Sequence, residues 1–249
     1  MHYRTNPALS GTQLVQLAKS PAHYQYYIKN PIEPTPAMEF GTAAHTMVLE
    51  PETFKDRYAV FSGEGTRASK EYKEFLTQNP NKSILKLNEM DRILDMVTAI
   101  ENHTLARELL LHSPGKNELE LYWNDRSVPC KGKLDRYLDS NVIVDYKTAY
   151  DASPEAFNHW KAKNLGYYLQ AAHYQAYFMQ QHMAPAFVFV VQETEAPFAI
   201  QVYELDQTSI DLAHEQRNNL LDLYRSCIEN DNWHGYKEEI LKLWVRNIY

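Results

Sequence analysis

Apolar residues recur every three or four positions through the first 110 residues, the spacing of amphipathic helices. The pattern predicts a first helix that ends near residue 19, with Ser10 or Thr12 as its cap. Further helices are predicted over 23–27, 38–49, 70–78 and 87–111. Residues 54–61 are predicted to be extended, and 62–66 to form a flexible turn.

The middle of the chain instead alternates between apolar and polar residues, which indicates β-strands. Strands are predicted over 118–123, 130–138 and 142–148, with Asp139-Ser140-Asn141 as the hairpin turn between the last two. The later predictions are helices over 154–163, 165–181 and 208–229, strands over 187–192 and 198–205, and an amphipathic tail over 233–249. The pattern predicts an α/β fold with a central sheet flanked by helices.

The composition is typical of a soluble globular protein, with 44% hydrophobic and 23% charged residues among 249. The longest apolar run, 186–191, is too short for a membrane span, which takes about 20 residues. The N-terminus lacks the apolar stretch of a signal peptide, and two cysteines make no disulfide framework. We therefore expect one domain over 1–249 in a reducing cytoplasm, with no membrane partner.

The net charge of −7 argues mildly against a protein that is held on DNA mainly by phosphate neutralisation. It does not exclude a nuclease. The metal ligands of a nuclease are carboxylates, and its basic residues can gather in one groove.

Asp145 and Lys147 lie two residues apart on an apolar strand, so they share one face while Tyr146 points to the other. The turn at 139–141 pairs residues whose numbers sum to about 280, which sets Asp135 opposite Asp145. Neighbouring carboxylates repel each other, and a hard divalent cation such as Mg²⁺ relieves the repulsion. The alternative is an ion pair of Lys147 with the two carboxylates and no metal.

Three more side chains are candidates. Gln170 and Tyr174 are four residues apart on one helical face and could hold a nucleotide backbone. Taken alone, the pair is better explained as a half-buried amphipathic stripe. His45 lies among small and apolar residues, where a histidine usually belongs to the core. As a further member of this set it could be a metal ligand or a phosphate contact.

Four motifs follow one another along the chain: Gly41-x-x-x-His45, Gly132-x-Leu134-Asp135, Asp145-x-Lys147 and Gln170-x-x-x-Tyr174. In this order they resemble the PD-(D/E)XK nuclease superfamily, in its RecB-like and lambda-exonuclease-like branch. The opening Ser-Pro-Ala-His-Tyr at 20–24 and the segment 34–54 are similar to RecE-like (exodeoxyribonuclease VIII) nuclease domains. The resemblance covers nearly the whole chain and implies a restriction-endonuclease-like core with a central mixed sheet.

The resemblance also implies an activity. Enzymes of this kind are Mg²⁺-dependent 5′→3′ exonucleases, in which Mn²⁺ is expected to substitute, and they degrade one strand of linear double-stranded DNA. They leave 3′ single-stranded tails for a single-strand annealing protein of the RecT or beta type in phage-type recombination. The implied assembly is a cyclic homo-oligomer, a trimer or tetramer, that encircles a duplex end. The implied setting is the cytoplasm, for a bacterial or phage-encoded protein.

By the same resemblance, Asp135 and Asp145 would ligate the metal with the main-chain carbonyl of Tyr146, and His45 would lie near a second metal position. Glu120, on the strand before the hairpin, could also reach the metals; solvent exposure is the equal alternative.

The remaining implied roles concern the reaction and the DNA strand. Lys147 would orient or deprotonate the attacking water, or stabilise the developing charge on the phosphate. Gln170 and Tyr174 would position the scissile strand.

Two groups outside the motifs could contact DNA. Ser10 and Thr12 could hold a terminal 5′-phosphate at a helix N-terminus, although an ordinary cap is the simpler interpretation. Arg67, Lys70 and Lys73 follow a glycine-rich turn at helical spacing and could contact phosphates. A solvated charged face explains them equally well.

Two other functions remain open from the sequence. The first is a single-strand nuclease or a structure-specific endonuclease on the same core. The second is a non-catalytic scaffold that binds DNA ends.

Overall fold

A mixed five-stranded sheet lies at the centre of the computed structural model, which describes residues 3–157 and 166–241. A small parallel pair, β1 (Tyr58–Phe61) and β2 (Ser83–Lys86), lies outside it. The strands of the large sheet, in spatial order, are β3 (Gly115–Asp125), β4 (Val128–Leu138), β5 (Val142–Ala149), β6 (Ala186–Glu193) and β7 (Ile200–Glu204). Only β5 and β6 run parallel to each other; the other neighbours are antiparallel.

Helices cover both faces of this sheet. The α-helices, in chain order, are α1 (Gly11–Lys19), α2 (Pro21–Lys29), α3 (Pro36–Leu49), α4 (Phe54–Arg57), α5 (Lys70–Gln78), α6 (Leu87–Asn102), α7 (Thr104–Arg107), α8 (Tyr167–Met179) and α9 (Gln207–Asn230). Of these, α4 and α5 pack with the small β1–β2 pair. On β5, Ile143 packs with apolar residues of α1, α8 and α9, whereas Val144 and Tyr146 pack with residues of α3 and α6. The predicted fold class, a central mixed sheet flanked by helices, is confirmed.

The hairpin between β4 and β5 has the predicted register. Arg136 pairs with Val144 and Leu138 with Val142, and the turn closes with a hydrogen bond from Asn141 N to the Leu138 carbonyl at 3.0 Å. The ladder stops at Arg136, so the two strands separate just where the two aspartates stand.

Two local predictions were wrong, and one strand was missed. Residues 54–57 are helical rather than extended, because Pro51 starts a helical turn that leads into α4. The helix predicted over 87–111 breaks at His103, whose Nδ1 accepts a hydrogen bond from Ala106 N and caps a new turn. The strand β2 was not predicted.

Two other predictions fall partly outside the described residues. Of the helix predicted over 154–163, residues 154–157 form a turn and 158–163 lie outside. Of the tail, 233–241 carry neither helix nor strand, and 242–249 lie outside. Within the described ranges, no helix combines the length and apolarity needed to cross a membrane.

The N-terminal segment fills the edge of β4 that β5 leaves unpaired. Leu9 N donates to the Pro129 carbonyl and Lys131 N donates to the Leu9 carbonyl, both at 2.9 Å. His173 on α8 fastens this contact, since its Nε2 lies 3.2 Å from the Leu9 carbonyl and 3.1 Å from the Lys131 carbonyl. Its Nδ1 accepts from Arg217 Nε at 3.3 Å, so the proton is on Nε2 and the ring is neutral.

Candidate active site

Four of the predicted side chains come together where β4 and β5 separate. Lys147 Nζ lies 2.5 Å from Asp145 Oδ2. Asp135 Oδ2 accepts a hydrogen bond from the main-chain N–H of Tyr146 at 2.8 Å, and it lies 3.8 Å from His45 Nδ1. The site thus joins α3, β4 and β5.

Strand alternation produces this arrangement. Asp145 and Lys147 share one face, as predicted, and Asp145 is only 2% exposed. Tyr146 points to the opposite face, where its hydroxyl donates to Gln192 Oε1 at 2.6 Å. The His45 ring packs on the Tyr146 ring with centroids 4.8 Å apart. The buried tyrosine therefore anchors both the strand and the helix that carries His45.

Burial sets the protonation of the cluster. It raises the pKa of Asp135 and Asp145 to about 6, although the Lys147 ammonium opposes the rise. Burial and then Lys147 lower the pKa of His45 to about 4, so its imidazole is neutral at pH 7. Burial would also lower the pKa of Lys147, but Asp145 and Asp135 outweigh it and raise the pKa above its ordinary value. Lys147 therefore stays protonated.

Glu118 on β3 is a site residue that the sequence analysis missed. One ligand atom from each of His45, Glu118 and Asp135 lies within 4.8 Å of the other two. Neutral imidazole and carboxylate oxygens are suitable ligands for a divalent cation. These three residues, next to Asp145 and Lys147, fit a divalent metal.

The structure does not bring Glu120 to the cluster. Its carboxylate is exposed and accepts a hydrogen bond from the Tyr122 hydroxyl at 2.8 Å. On a regular strand Glu118 and Glu120 would share a face, but Glu118 has a left-handed backbone with φ of 52°. A second hairpin register could have identified Glu118. With Asp125 paired to Val128 across the turn, Glu118 falls opposite Asp135.

Gln170 and Tyr174 contact each other on α8. Gln170 Nε2 donates to the Tyr174 hydroxyl at 2.9 Å. The Tyr174 ring lies against Gly132, where an added Cβ would be 2.8 Å from a ring carbon. Glycine is therefore required three residues before Asp135, and the pair packs beside the strand that carries this ligand.

Ser10 acts as an ordinary helix cap. Its hydroxyl accepts from Gln13 N, and Gln13 Oε1 accepts from Ser10 N at 2.8 Å. Thr12 is exposed on the first turn of α1. This turn packs on α8, since a Cβ on Gly11 would lie 3.3 Å from Gln170 Cγ.

The basic group at 67–73 is not part of the cluster. Arg67 pairs with Glu89 at 2.7 Å. Lys70 lies 3.7 Å from Glu74 and, like Lys73, is exposed. In the structure these three side chains lie on an exposed charged surface, as the solvated-face interpretation predicts.

An open cleft of about 710 Å³ leads to the cluster. Its walls include His45, Glu118, Asp135 and Lys147. Other cations line it as well: Arg4, Arg57 and Lys133. Lys133 contacts the Glu118 carboxylate, and Arg57 pairs with Glu50 at 2.8 Å. A polyanion that enters the cleft therefore meets basic side chains around an acidic centre.

Asp135 and Asp145 should make the metal-free protein less stable as the pH rises. Their pKa values are higher in the folded chain, so the folded chain binds these protons more tightly than the unfolded chain does. Their contribution to the free energy of unfolding is full below pH ~4 and is lost as the pH rises through about 6.

Denaturant unfolding between pH 4 and 7 tests this, with Asp135→Asn/Asp145→Asn as the comparison. The wild type should lose free energy of unfolding relative to the double variant across this window. Parallel curves for the two proteins would contradict the expectation.

Comparison with one solved structure agrees with the fold. A crystal structure named "Putative exonuclease" from Eubacterium rectale superposes with a TM-score of 0.65 at 15% identity, covering 99% of this chain and 96% of that one. A phage related exonuclease from Haemophilus somnus 129PT gives a TM-score of 0.36 at 16% identity, with 90% and 97% covered. Among curated proteins, none matches the chain.

A family model provides the assignment. The model described as "PDDEXK-like domain of unknown function (DUF3799)" matches residues 10–242. This match confirms the superfamily to which the four motifs pointed. The chain belongs to this PDDEXK-like family.

Proposed function

We propose that the protein is a Mg²⁺-dependent 5′→3′ exodeoxyribonuclease that acts on linear double-stranded DNA and leaves 3′ single-stranded tails. The PDDEXK-like family and fold support a nuclease. The observation that carries the proposal is the meeting of Asp135, Asp145, His45 and Lys147 beside an open cleft that Arg4, Arg57 and Lys133 also line. The 5′→3′ polarity and the recombination role rest on the resemblance of the motifs.

In this proposal Asp135 and Asp145 would hold the metal together with the main-chain carbonyl of Tyr146, the residue after Asp145. His45 and Glu118 lie beside Asp135. The bound cation supplies an activated water and stabilises negative charge on the phosphate oxygens. Lys147 is protonated. It therefore orients the water and donates to a phosphate oxygen rather than removing a proton. Gln170 and Tyr174 position the scissile strand.

A strand-specific label tests the activity. Linear duplex labelled on one 5′ end is incubated with and without Mg²⁺, beside Lys147→Ala and a matched duplex labelled at the 3′ end. Early Mg²⁺-dependent release of the 5′ label, absent with the variant and on closed circular DNA, supports the proposal. Cutting of circular or single-stranded DNA would instead favour the endonuclease alternative. Absence of cleavage on every substrate would favour the scaffold.

Binding of a cation should stabilise the folded chain by mass action. At a Mn²⁺ concentration about 100 times Kd the gain is about 2.7 kcal/mol, which for a chain of this size raises Tm by roughly 5–10 °C. Thermal melting over a Mn²⁺ titration measures it. Glu120→Gln should shift as the wild type does, because Glu120 lies outside the cluster. An unchanged Tm in the wild type at every concentration would count against a metal site.

The partners in this proposal are double-stranded DNA ends, a RecT-like or beta-like annealing protein and further copies of the chain. A cyclic trimer or tetramer should elute well above the 29.1 kDa of one chain in sizing with light scattering. A monomer would remove the ring from the proposal.

A further inference from the structure

A chain of hydrogen bonds lies behind the candidate ligands. Asn117 Nδ2 donates to the Leu49 carbonyl at 2.6 Å, and Asn117 Oδ1 accepts from Arg136 Nη1. Arg136 Nη2 donates in turn to the Ser113 carbonyl. Both the nitrogen and the oxygen of the Asn117 amide are therefore hydrogen-bonded. None of the residues in this network is a candidate metal ligand.

Asn117, Arg136 and Leu49 each lie on an element that carries a candidate ligand. Asn117 directly precedes Glu118 on β3, and Arg136 directly follows Asp135 on β4. Leu49 ends α3, one helical turn after His45. One side-chain amide thus connects the three elements from which His45, Glu118 and Asp135 project.

The network satisfies groups that would be costly to leave alone. The carbonyls in the last turn of a helix have no intrahelical partner, and Asn117 provides one for Leu49. Arg136 is only 6% exposed, and its two hydrogen-bond partners in the described chain are neutral oxygens. Removing a partner from a buried charge is strongly destabilising, so the guanidinium holds Asn117 firmly.

The hydrogen-bond network around Asn117 acts on the backbone of Glu118. A left-handed conformation is unfavourable at a residue other than glycine, and neighbouring contacts must maintain it. Here the left-handed backbone makes Glu118 and Glu120 point in different directions, although a regular strand would place both on one face. Glu118 reaches His45 and Asp135, whereas Glu120 remains at the surface.

We propose that Asn117, held by Arg136, is a positioning residue that keeps Glu118 pointing at the metal position. It touches neither metal nor DNA and acts through Glu118. The inference rests on the proposed function, because it assumes that the cluster binds a divalent cation.

Calorimetric titration of Mn²⁺ alone tests it, on wild type, Asn117→Leu, Glu118→Gln and the double variant. Asn117→Leu should weaken Mn²⁺ binding by about 10- to 100-fold, the usual effect of losing a residue that orients a ligand. The double variant should bind no worse than Glu118→Gln, because a residue that acts through Glu118 has no effect once that carboxylate is lost. Asn124→Leu, on the same strand away from the cluster, is the control and should bind as the wild type does.

The outcomes separate the two proposals. If Asn117→Leu binds Mn²⁺ as the wild type does, or if the two losses add in the double variant, the positioning role is overturned. A wild type that neither binds Mn²⁺ nor cleaves DNA overturns the proposed function instead, and this inference with it. Should Asn117→Leu fail to fold, Asn117→Asp keeps the acceptor for Arg136 and loses the donor to Leu49, while it adds a negative charge that would by itself favour Mn²⁺ binding. Weaker Mn²⁺ binding by this variant supports the role, and unchanged binding overturns it.

Discussion

Replacing Asp145 by asparagine is expected to lower kcat/KM for Mg²⁺-dependent DNA cleavage by about 10³-fold or more, equivalent to ~4 kcal/mol of transition-state stabilisation. The change removes the negative charge of Asp145, a proposed metal ligand, and keeps the side chain's shape. The same substitution should also weaken Mn²⁺ binding. Asp145 is almost completely buried, so the remaining carboxylates cannot take its place.

The fold should survive this substitution. Asparagine ends the repulsion between Asp135 and Asp145, and it also ends the ion pair with Lys147. Because these effects oppose each other, Tm without metal should change little. Initial rates, Mn²⁺ calorimetry and metal-free melting on one preparation test all three points. Asp139→Asn, in the exposed hairpin turn, is the matched control. A large fall in metal-free Tm would mean that Asp145 serves the fold rather than the reaction.

Replacing Lys147 by methionine should have the second largest effect, with a different signature. Cleavage should fall by about 10²- to 10³-fold, the usual result of removing one group that stabilises transition-state charge. Mn²⁺ binding should be kept or become tighter, because the substitution removes a positive charge 2.5 Å from a ligand oxygen. The two variants therefore distinguish a residue that binds the metal from a residue that acts on the phosphate.

Single-turnover cleavage at saturating Mn²⁺ measures the first effect and calorimetry the second. Lys116→Met, at an exposed position on β3, controls for the loss of one positive charge. If Lys147→Met loses Mn²⁺ binding together with cleavage, the lysine supports the shape of the site and the proposed contact with phosphate is wrong.

The centre of the site could be predicted from the sequence because a tight turn determines strand register. Once Asp139-Ser140-Asn141 is identified as the turn, Asp135 must meet Asp145, and alternation sends Lys147 to the same face. Helical periodicity places His45 on a helix, and the order of the motifs associates that helix with the strands.

Glu118 was missed because the turn between β3 and β4 was not identified, and because its left-handed backbone breaks the alternation of the strand. Its neighbour Asn117 contacts Leu49 and Arg136, 68 and 19 residues away in sequence, and no local pattern indicates such contacts. The break at His103 has a local cause instead, since its side chain accepts a hydrogen bond from Ala106 N three residues later and caps a new turn. The periodic pattern is informative about elements, and individual side-chain contacts, near or distant in sequence, decide where the elements depart from regularity.

The contact between His173 and Leu9 can form only after α8 has been synthesised. The two residues are 164 positions apart, and contacts of such long separation form late in folding. At a synthesis rate of about 5–20 residues per second, the segment around Leu9 waits roughly 10–30 s before α8 is made. Gln170 and Tyr174 are on that same helix. We expect ribosome-stalled chains that end before α8 to leave DNA intact, because both residues that the proposed function assigns to the scissile strand are on that helix.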